Sequence, residues 1–279
     1  MKIKDAYHQA IQKLKNPEVD EINVRILLCE INELPTMSSF YIAEDEDVKD
    51  LRRFNELFER FLNGEPVQYL INKSNFFGYD FYVDKRVLIP RQESEEVVAY
   101  AIDKAKEIFE KDNFTILDVC CGSGCLGITL SRCLNAEKLY LSDISKDALE
   151  VAKKNLKLNG IEGETLLGDG LSKAIEQGIK CDILIANPPY IVNRDDVDPS
   201  VMNHEPHLAL FADKKLSVYD SIISNLTKIA NKPFMAVFEI GYDITPVLEG
   251  IVKKHLHKAH YEIIKDMNGK NRILSVILK

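Results

Sequence analysis

The sequence predicts an α/β protein: a mostly parallel sheet with helices on both faces, preceded by a small helical domain. Three observations carry this. From Glu93 onward, short aliphatic runs alternate with stretches of helical periodicity, the pattern of repeated strand–helix–strand units. Residues 2–63 show helical periodicity only. Between the two lies an aromatic, alternating segment over residues 74–83, with Gly78-Tyr79-Asp80 at its middle, which reads as a β-hairpin connector leading to Leu88-Ile89-Pro90.

A length of 279 residues exceeds the roughly 100–200 of a typical domain, so one large and one small domain are expected. The boundaries are a helical domain over residues 1–73, the connector over 74–90 and the sheet domain over 91–279. No apolar run approaches the roughly 20 residues of a membrane span, and Met1-Lys2-Ile3-Lys4-Asp5 lacks the apolar core of a signal peptide. A cytoplasmic location with no membrane partner is the expectation. A net charge of -8 argues against a broad grip on phosphate, so no stable nucleic-acid binding is expected.

In the helical part, three apolar stripes recur at helical spacing: Ile3, Ala6, Ala10, Ile11 and Leu14; then Ile26, Leu27 and Ile31; then Leu51, Phe54, Leu57, Phe58, Phe61 and Leu62. Asn63-Gly64-Glu65-Pro66 stops the third. Beyond the connector, residues 94–109, 126–134, 146–158 and 216–229 read as helices, and 115–120, 138–141, 164–167, 181–186 and 234–240 as strands. The last two strands, 261–265 and 272–278, are joined by Met267-Asn268-Gly269-Lys270 instead of a helix. That is a hairpin, so the sheet should end with an antiparallel strand.

The six cysteines match no paired zinc spacing and are expected to be reduced, with no metal bound. His204 and His207 flank Glu205-Pro206 and could share a metal only on a helix, which Pro206 opposes. His255, His257 and His260 fall in a basic C-terminal helix and its exit, on an expected solvated face.

In such sheets ligands sit beyond the carboxyl ends of the strands. The first strand ends in Asp118-Val119-Cys120-Cys121-Gly122-Ser123-Gly124 and enters a helix, so the backbone can approach a ligand and the helix N-terminus favours an anion. The second ends at Asp143, able to accept both hydroxyls of a ribose; the third ends at Gly168-Asp169-Gly170. The fourth ends at Asn187-Pro188-Pro189-Tyr190. Its prolines forbid ladder pairing and an immediate helix, and they leave carbonyl acceptors without the usual donors beside a carboxamide and an aromatic face. The turn is either a rigid strand end or a site for a planar amide or amino group with two N–H bonds to give. A nicotinamide dinucleotide would use similar glycine-and-acid logic, but nothing downstream offers an obvious acid or base for hydride transfer.

Together, the Asp-x-Cys-Cys-Gly-Ser-Gly turn, Asp143 and Asn187-Pro188-Pro189-Tyr190 resemble the S-adenosylmethionine-dependent amino methyltransferases. The likeness sharpens to the release-factor glutamine methyltransferases, the HemK/PrmC family, through Gly64-Glu65-Pro66-Val67-Gln68-Tyr69-Leu70, Phe76-Phe77-Gly78, Val87-Leu88-Ile89-Pro90-Arg91-Gln92-Glu93-Ser94-Glu95, Glu205-Pro206-His207-Leu208-Ala209-Leu210-Phe211, Phe238-Glu239-Ile240-Gly241 and the run from Lys265 to Arg272. The resemblance implies a class I S-adenosylmethionine-dependent methyltransferase, with a Rossmann-like seven-stranded sheet whose last strand is antiparallel and a helical substrate-recognition domain. It also implies S-adenosyl-L-methionine as cofactor. The expected cofactor-binding residues are Cys120, Cys121, Gly122, Ser123, Gly124, Asp143, Asp169, Gly170 and Asn187.

The implied substrate is the glutamine of the Gly-Gly-Gln loop in peptide chain release factors, methylated on N5. Asn187, Pro188, Pro189 and Tyr190 are the expected substrate-binding residues, with Asn187, Pro188 and Tyr190 catalytic: the Asn187 side-chain oxygen and the Pro188 carbonyl accept the two amide hydrogens, and Tyr190 stacks on the amide plane. Two rivals stand beside this reading: an adenine-N6 methyltransferase acting on DNA or RNA, whose exocyclic amine also offers two hydrogens, and a non-catalytic cofactor-binding regulator of translation. The chain departs from the family pattern at Cys120, where a glycine is usual, at Gln92 and Ser94 for Pro and Thr, and at Lys214-Lys215-Leu216 for Asp-Gly-Leu. A positive φ at Cys120 would strain it by about 1 kcal/mol or more. None of these departures is expected to touch the chemistry.

Overall fold

The apolar stripes of the first residues give five helices: α1 (Ile3–Ile11), α2 (Pro17–Ile31), α3 (Met37–Ile42), α4 (Leu51–Leu62) and α5 (Val67–Ile71). The computed structural model describes residues 1–110 and 113–279, and these divide into two units, Met1–Lys73 and Ser74–Lys279. In the first unit Ile3, Leu27, Leu28, Phe54 and Phe58 close one core. Phe54 and Phe58, one turn apart on α4, stack with ring centroids 5.8 Å apart. Helix α3 escapes the sequence reading because its six residues bury only Phe40. Its start is nonetheless marked by Thr36, whose Oγ1 accepts from the Ser39 N–H at 3.1 Å.

In the second unit the hairpin β1 (Ser74–Phe76) and β2 (Tyr79–Phe81) leads to α6 (Gln92–Ile108), β3 (Thr115–Val119), α7 (Cys125–Leu134), β4 (Lys138–Asp143), α8 (Lys146–Asn159) and β5 (Glu164–Leu167). Then follow α9 (Ser172–Glu176), β6 (Cys181–Ala186), α10 (Pro199–His204), α11 (His207–Leu210), α12 (Ser217–Ile229), β7 (Ala230–Glu239), α13 (Thr245–His255), β8 (His260–Lys265) and β9 (Asn271–Leu278). The main sheet has the order β5-β4-β3-β6-β7-β9-β8. Strands β3 to β7 pair in parallel, and β9 runs antiparallel to both of its neighbours. Every residue of β6 is buried, as a central strand covered on two faces requires. Alternation along the strands feeds two cores. Ile116, Ile183 and Ile185 pack with α6, α7 and α8; Leu117, Leu184 and Ala186 pack with α12 and α13.

Three expectations change. The last strand is antiparallel but does not end the sheet: β9 lies between β7 and β8, since the tight turn fixes its antiparallel pairing with β8 without deciding which of the two strands meets β7. Strand β7 starts at Ala230, four residues before the aliphatic run, with its register shifted opposite Cys181 and Ile183. His255 and His260 are not merely solvated: His255 Nε2 meets Asp220 Oδ1 at 3.1 Å and His260 Nε2 meets Glu262 Oε1 at 2.8 Å. Helices α9, α10 and α11, at four to six residues, are too short to leave a periodic signal. No helix among the described residues is long and apolar enough to cross a membrane.

Candidate cofactor and acceptor site

Strand order reverses between β3 and β6, and the carboxyl ends of β3, β4, β5 and β6 open there onto one crevice of about 1080 Å³, solvent at its mouth included. Nine of the twelve residues singled out from the sequence line it: Cys120, Cys121, Gly122, Ser123, Asp143, Asp169, Gly170, Asn187 and Pro189. Gly124, Pro188 and Tyr190 do not. Gly124 is the N-cap of α7, and Pro188 is buried.

The glycine turn is held by side chains from three elements. Buried Asp118 accepts from the Gly127 N–H at 2.8 Å, and burial pushes its carboxyl up to about 8. A methyl on Gly127 would lie 2.6 Å from the Asp118 Cβ, so Gly127→Ala should destabilise the protein by about 1–3 kcal/mol, read as a lower denaturant midpoint. Asn155, fully buried on α8, donates to the carbonyls of Ser123 and Tyr82 at 2.9 Å each and accepts from the Tyr82 N–H at 2.7 Å. One carboxamide thus ties the hairpin exit to the turn.

Asp143 accepts from the N–H of Gly122 at 2.9 Å through one oxygen and of Ser145 at 2.8 Å through the other, leaving further lone pairs for a diol. Burial pushes its carboxyl up while these N–H groups pull it down. Gly122, at φ 53°, has open space where a Cβ would stand. With the apolar walls of Val87, Leu126 and Ile144, the lining suits a ligand that combines an apolar ring, a vicinal diol and a charged end. The residues therefore fit S-adenosylmethionine.

Cys120 does adopt the left-handed conformation, at φ 59°. Its half-buried thiol lines the crevice, and burial beside Asp143, Asp118 and Asp169 pushes it far above the usual thiol range. Cys120→Gly relieves about 1–2 kcal/mol of backbone strain against about 0.5–1 kcal/mol of extra chain entropy. A slightly higher thermal midpoint is expected; a lower one would show that the thiol's packing outweighs the strain.

At the acceptor end, the hydroxyl of buried Tyr219 donates to the Glu239 carbonyl at 2.7 Å and lies 3.3 Å from the Pro188 carbonyl. Its single proton favours the shorter bond, so Pro188 keeps most of its acceptor capacity. The Tyr190 hydroxyl points at Glu239 Oε1, 3.4 Å away, and a Cβ on Gly241 would stand 3.0 Å from the Tyr190 ring. Burial and the neighbouring Glu239 hold the Tyr190 phenol well above its ordinary range. Ser94 Oγ donates to Glu239 Oε2 at 2.5 Å, so one departure from the family pattern does reach the acceptor turn.

Sequence reading gave no role to Glu239, Ser94, Asn155 or the pair Arg91–Glu205. Glu205 is buried and accepts from Arg91 at 2.5 Å and from the Ile89 N–H at 3.1 Å, which docks residues 89–91 against the segment before α11. A signal was present: Glu239 follows the wholly apolar run Phe234-Met235-Ala236-Val237-Phe238.

The family model described as "PrmC N-terminal domain" matches residues 5–71, and that described as "Methyltransferase small domain" matches residues 100–205. The release factor glutamine methyltransferase of Staphylococcus aureus is 37% identical over 246 residues, 86% of this chain and 86% of the relative. That of Bacillus anthracis is 32% identical over 283 residues, 98% of each. Among solved structures, a T. thermophilus 16S rRNA N2 G1207 methyltransferase in complex with AdoMet and guanosine superposes with a TM-score of 0.51 at 12% identity, covering 74% of this chain and 50% of that one. This last likeness concerns the fold, which is that of class I S-adenosylmethionine-dependent methyltransferases. With identity above 30% along nearly its whole length, the chain belongs to the release factor glutamine methyltransferase family.

Proposed function

We propose that the chain transfers a methyl group from S-adenosyl-L-methionine to the N5 side-chain nitrogen of the glutamine in the Gly-Gly-Gln loop of peptide chain release factors. The observation that carries this is the meeting of Asn187 with the glycine turn and Asp143 in one crevice. Bound there, S-adenosylmethionine supplies a methyl carbon on a positively charged sulfur, whose S–C bond breaks as the new N–C bond forms. An amide nitrogen is a weak nucleophile because its lone pair is delocalised, so alignment is the main contribution of the protein.

In this reading the Asn187 side-chain oxygen and the Pro188 carbonyl accept the two amide hydrogens and turn one face of the nitrogen toward the donor. The nitrogen becomes positive as the bond forms, so the acceptors bind it more tightly than in the ground state. The proton then passes to water, and no dedicated base is needed. Pro189 keeps the turn rigid, and Tyr190 closes the amide plane. Asp143 takes the ribose hydroxyls; the turn from Cys120 to Gly124, with Asp169 and Gly170, holds the rest of the donor. Residues 1–73 serve as the substrate-recognition domain and residues 74–90 connect it to the catalytic domain, in the cytoplasm.

The test incubates the protein with methyl-labelled S-adenosylmethionine and, separately, a release factor, the same factor with its loop glutamine replaced, and adenine-containing oligonucleotides. Label is expected on the intact factor alone. Label on nucleic acid alone overturns the proposal in favour of an adenine methyltransferase, and no label anywhere points to a binding module.

A further inference from the structure

We infer that Glu239 is a positioning residue for methyl transfer: its buried carboxylate, gripped by Ser94, holds Tyr190 and with it the turn that presents Asn187. The inference rests on the proposed function and deepens it.

Glu239 closes β7 and is 1% exposed, surrounded by the core of the sheet. A carboxylate in such a place is costly unless it is paired and hydrogen-bonded, and an aliphatic residue would fill the strand end without that cost. Its two oxygens are divided between two elements. Oε2 accepts from Ser94 in the first turn of α6, and Oε1 faces the hydroxyl of Tyr190. Its backbone carbonyl accepts from Tyr219, whose hydroxyl also lies beside the Pro188 carbonyl. Glu239 therefore meets the Asn187–Tyr190 turn from two directions, once through its side chain and once through its main chain.

The ring of Tyr190 is confined on its other side by Gly241, where no Cβ stands in the way. The Tyr190 hydroxyl thus faces Glu239 while its ring edge lies close against Gly241. Glu239 itself does not line the crevice, so it acts through its partners and not on the donor; of these, Ser94 is a lining residue and Tyr190 is not. Ser94 carries its hydroxyl on Cβ, as threonine does, and the hydroxyl is the part that Glu239 uses.

A kinetic double-mutant cycle tests this. Glu239→Gln should lower kcat for release factor methylation by about tenfold, with KM and the calorimetric dissociation constant of S-adenosylmethionine within about twofold. In a Tyr190→Phe background the same substitution should cost less than about twofold, because the shared contact is already gone. Ser94→Ala should lower kcat and Ser94→Thr restore it. Independent costs of Glu239→Gln and Tyr190→Phe, or an unchanged kcat in Ser94→Ala, would overturn the inference; the latter variant also decides should Glu239→Gln fail to fold. A fluorine resonance from 3-fluorotyrosine at position 190 supplies a readout free of turnover. It should shift or broaden in Glu239→Gln. Wild-type protein that transfers no label refutes the proposed function, whereas an unmoved resonance refutes this inference alone.

Discussion

Asn187→Ala is expected to reduce methyl transfer by about 10³-fold while the dissociation constant of S-adenosylmethionine stays within about twofold. Removing one preorganised polar group aimed at developing charge typically costs 10²–10³ in turnover, and Asn187 supplies one of only two acceptors proposed for the amide hydrogens. The other, the Pro188 carbonyl, belongs to the main chain and survives the substitution, but one acceptor leaves the planar amide free to swing about the single remaining hydrogen bond. Selective loss is expected because the proposed ribose contact, Asp143, ends β4, which β3 separates from β6, and because the main chain of the glycine turn is left in place by the substitution. Single-turnover kinetics beside calorimetry separate the two effects. Turnover at the wild-type rate would sink the assignment of the turn.

The second large effect is at Asp143, where alanine should weaken S-adenosylmethionine binding by about 100-fold. Two hydrogen bonds from hydroxyls to a carboxylate are lost, at about 1.5 kcal/mol each, or nearly 3 kcal/mol in all. The N–H groups of Gly122 and Ser145 lose their acceptor as well, which loosens the turn. The raised carboxyl of Asp143 gives the effect a pH signature. Ligand binding favours the ionised form, so affinity should fall as pH drops through this raised value, at higher pH than for an exposed aspartate. In Asp143→Ala that contribution to the pH dependence should vanish, and an unchanged dissociation constant in the variant would remove the ribose role.

Residues whose effect is local were legible in the sequence. Pro188 and Pro189 end β6 through their own covalent geometry, and the glycines after β3 announce a close backbone approach. The alternation of apolar runs and helical stripes supplied the parallel sheet, since each element must bury its own face. What stayed hidden depends on partners distant in the chain. Ser94 and Glu239 are 145 residues apart, and Ile89 and Glu205 are 116 apart. Nothing in the spacing of either pair says that they touch. The place of β9 was hidden for a related reason: a hairpin turn specifies antiparallel pairing with β8 but not which of the two strands faces the rest of the sheet.

Because β9 lies between β7 and β8, the sheet cannot be finished in the order in which it is made. As the chain emerges from the ribosome, β3, β4, β5, β6 and β7 can pair successively, but β7 then presents a bare edge and β8 has no neighbour. Only when residues 271–278 are free can they slide in and join the two. The same insertion sets Ile273 opposite Glu239, so β9, made after every other strand of this sheet, also buttresses the end of β7 behind the acceptor turn. A nascent chain stalled before Asn271 would carry every residue assigned to the crevice and still lack the wall behind it.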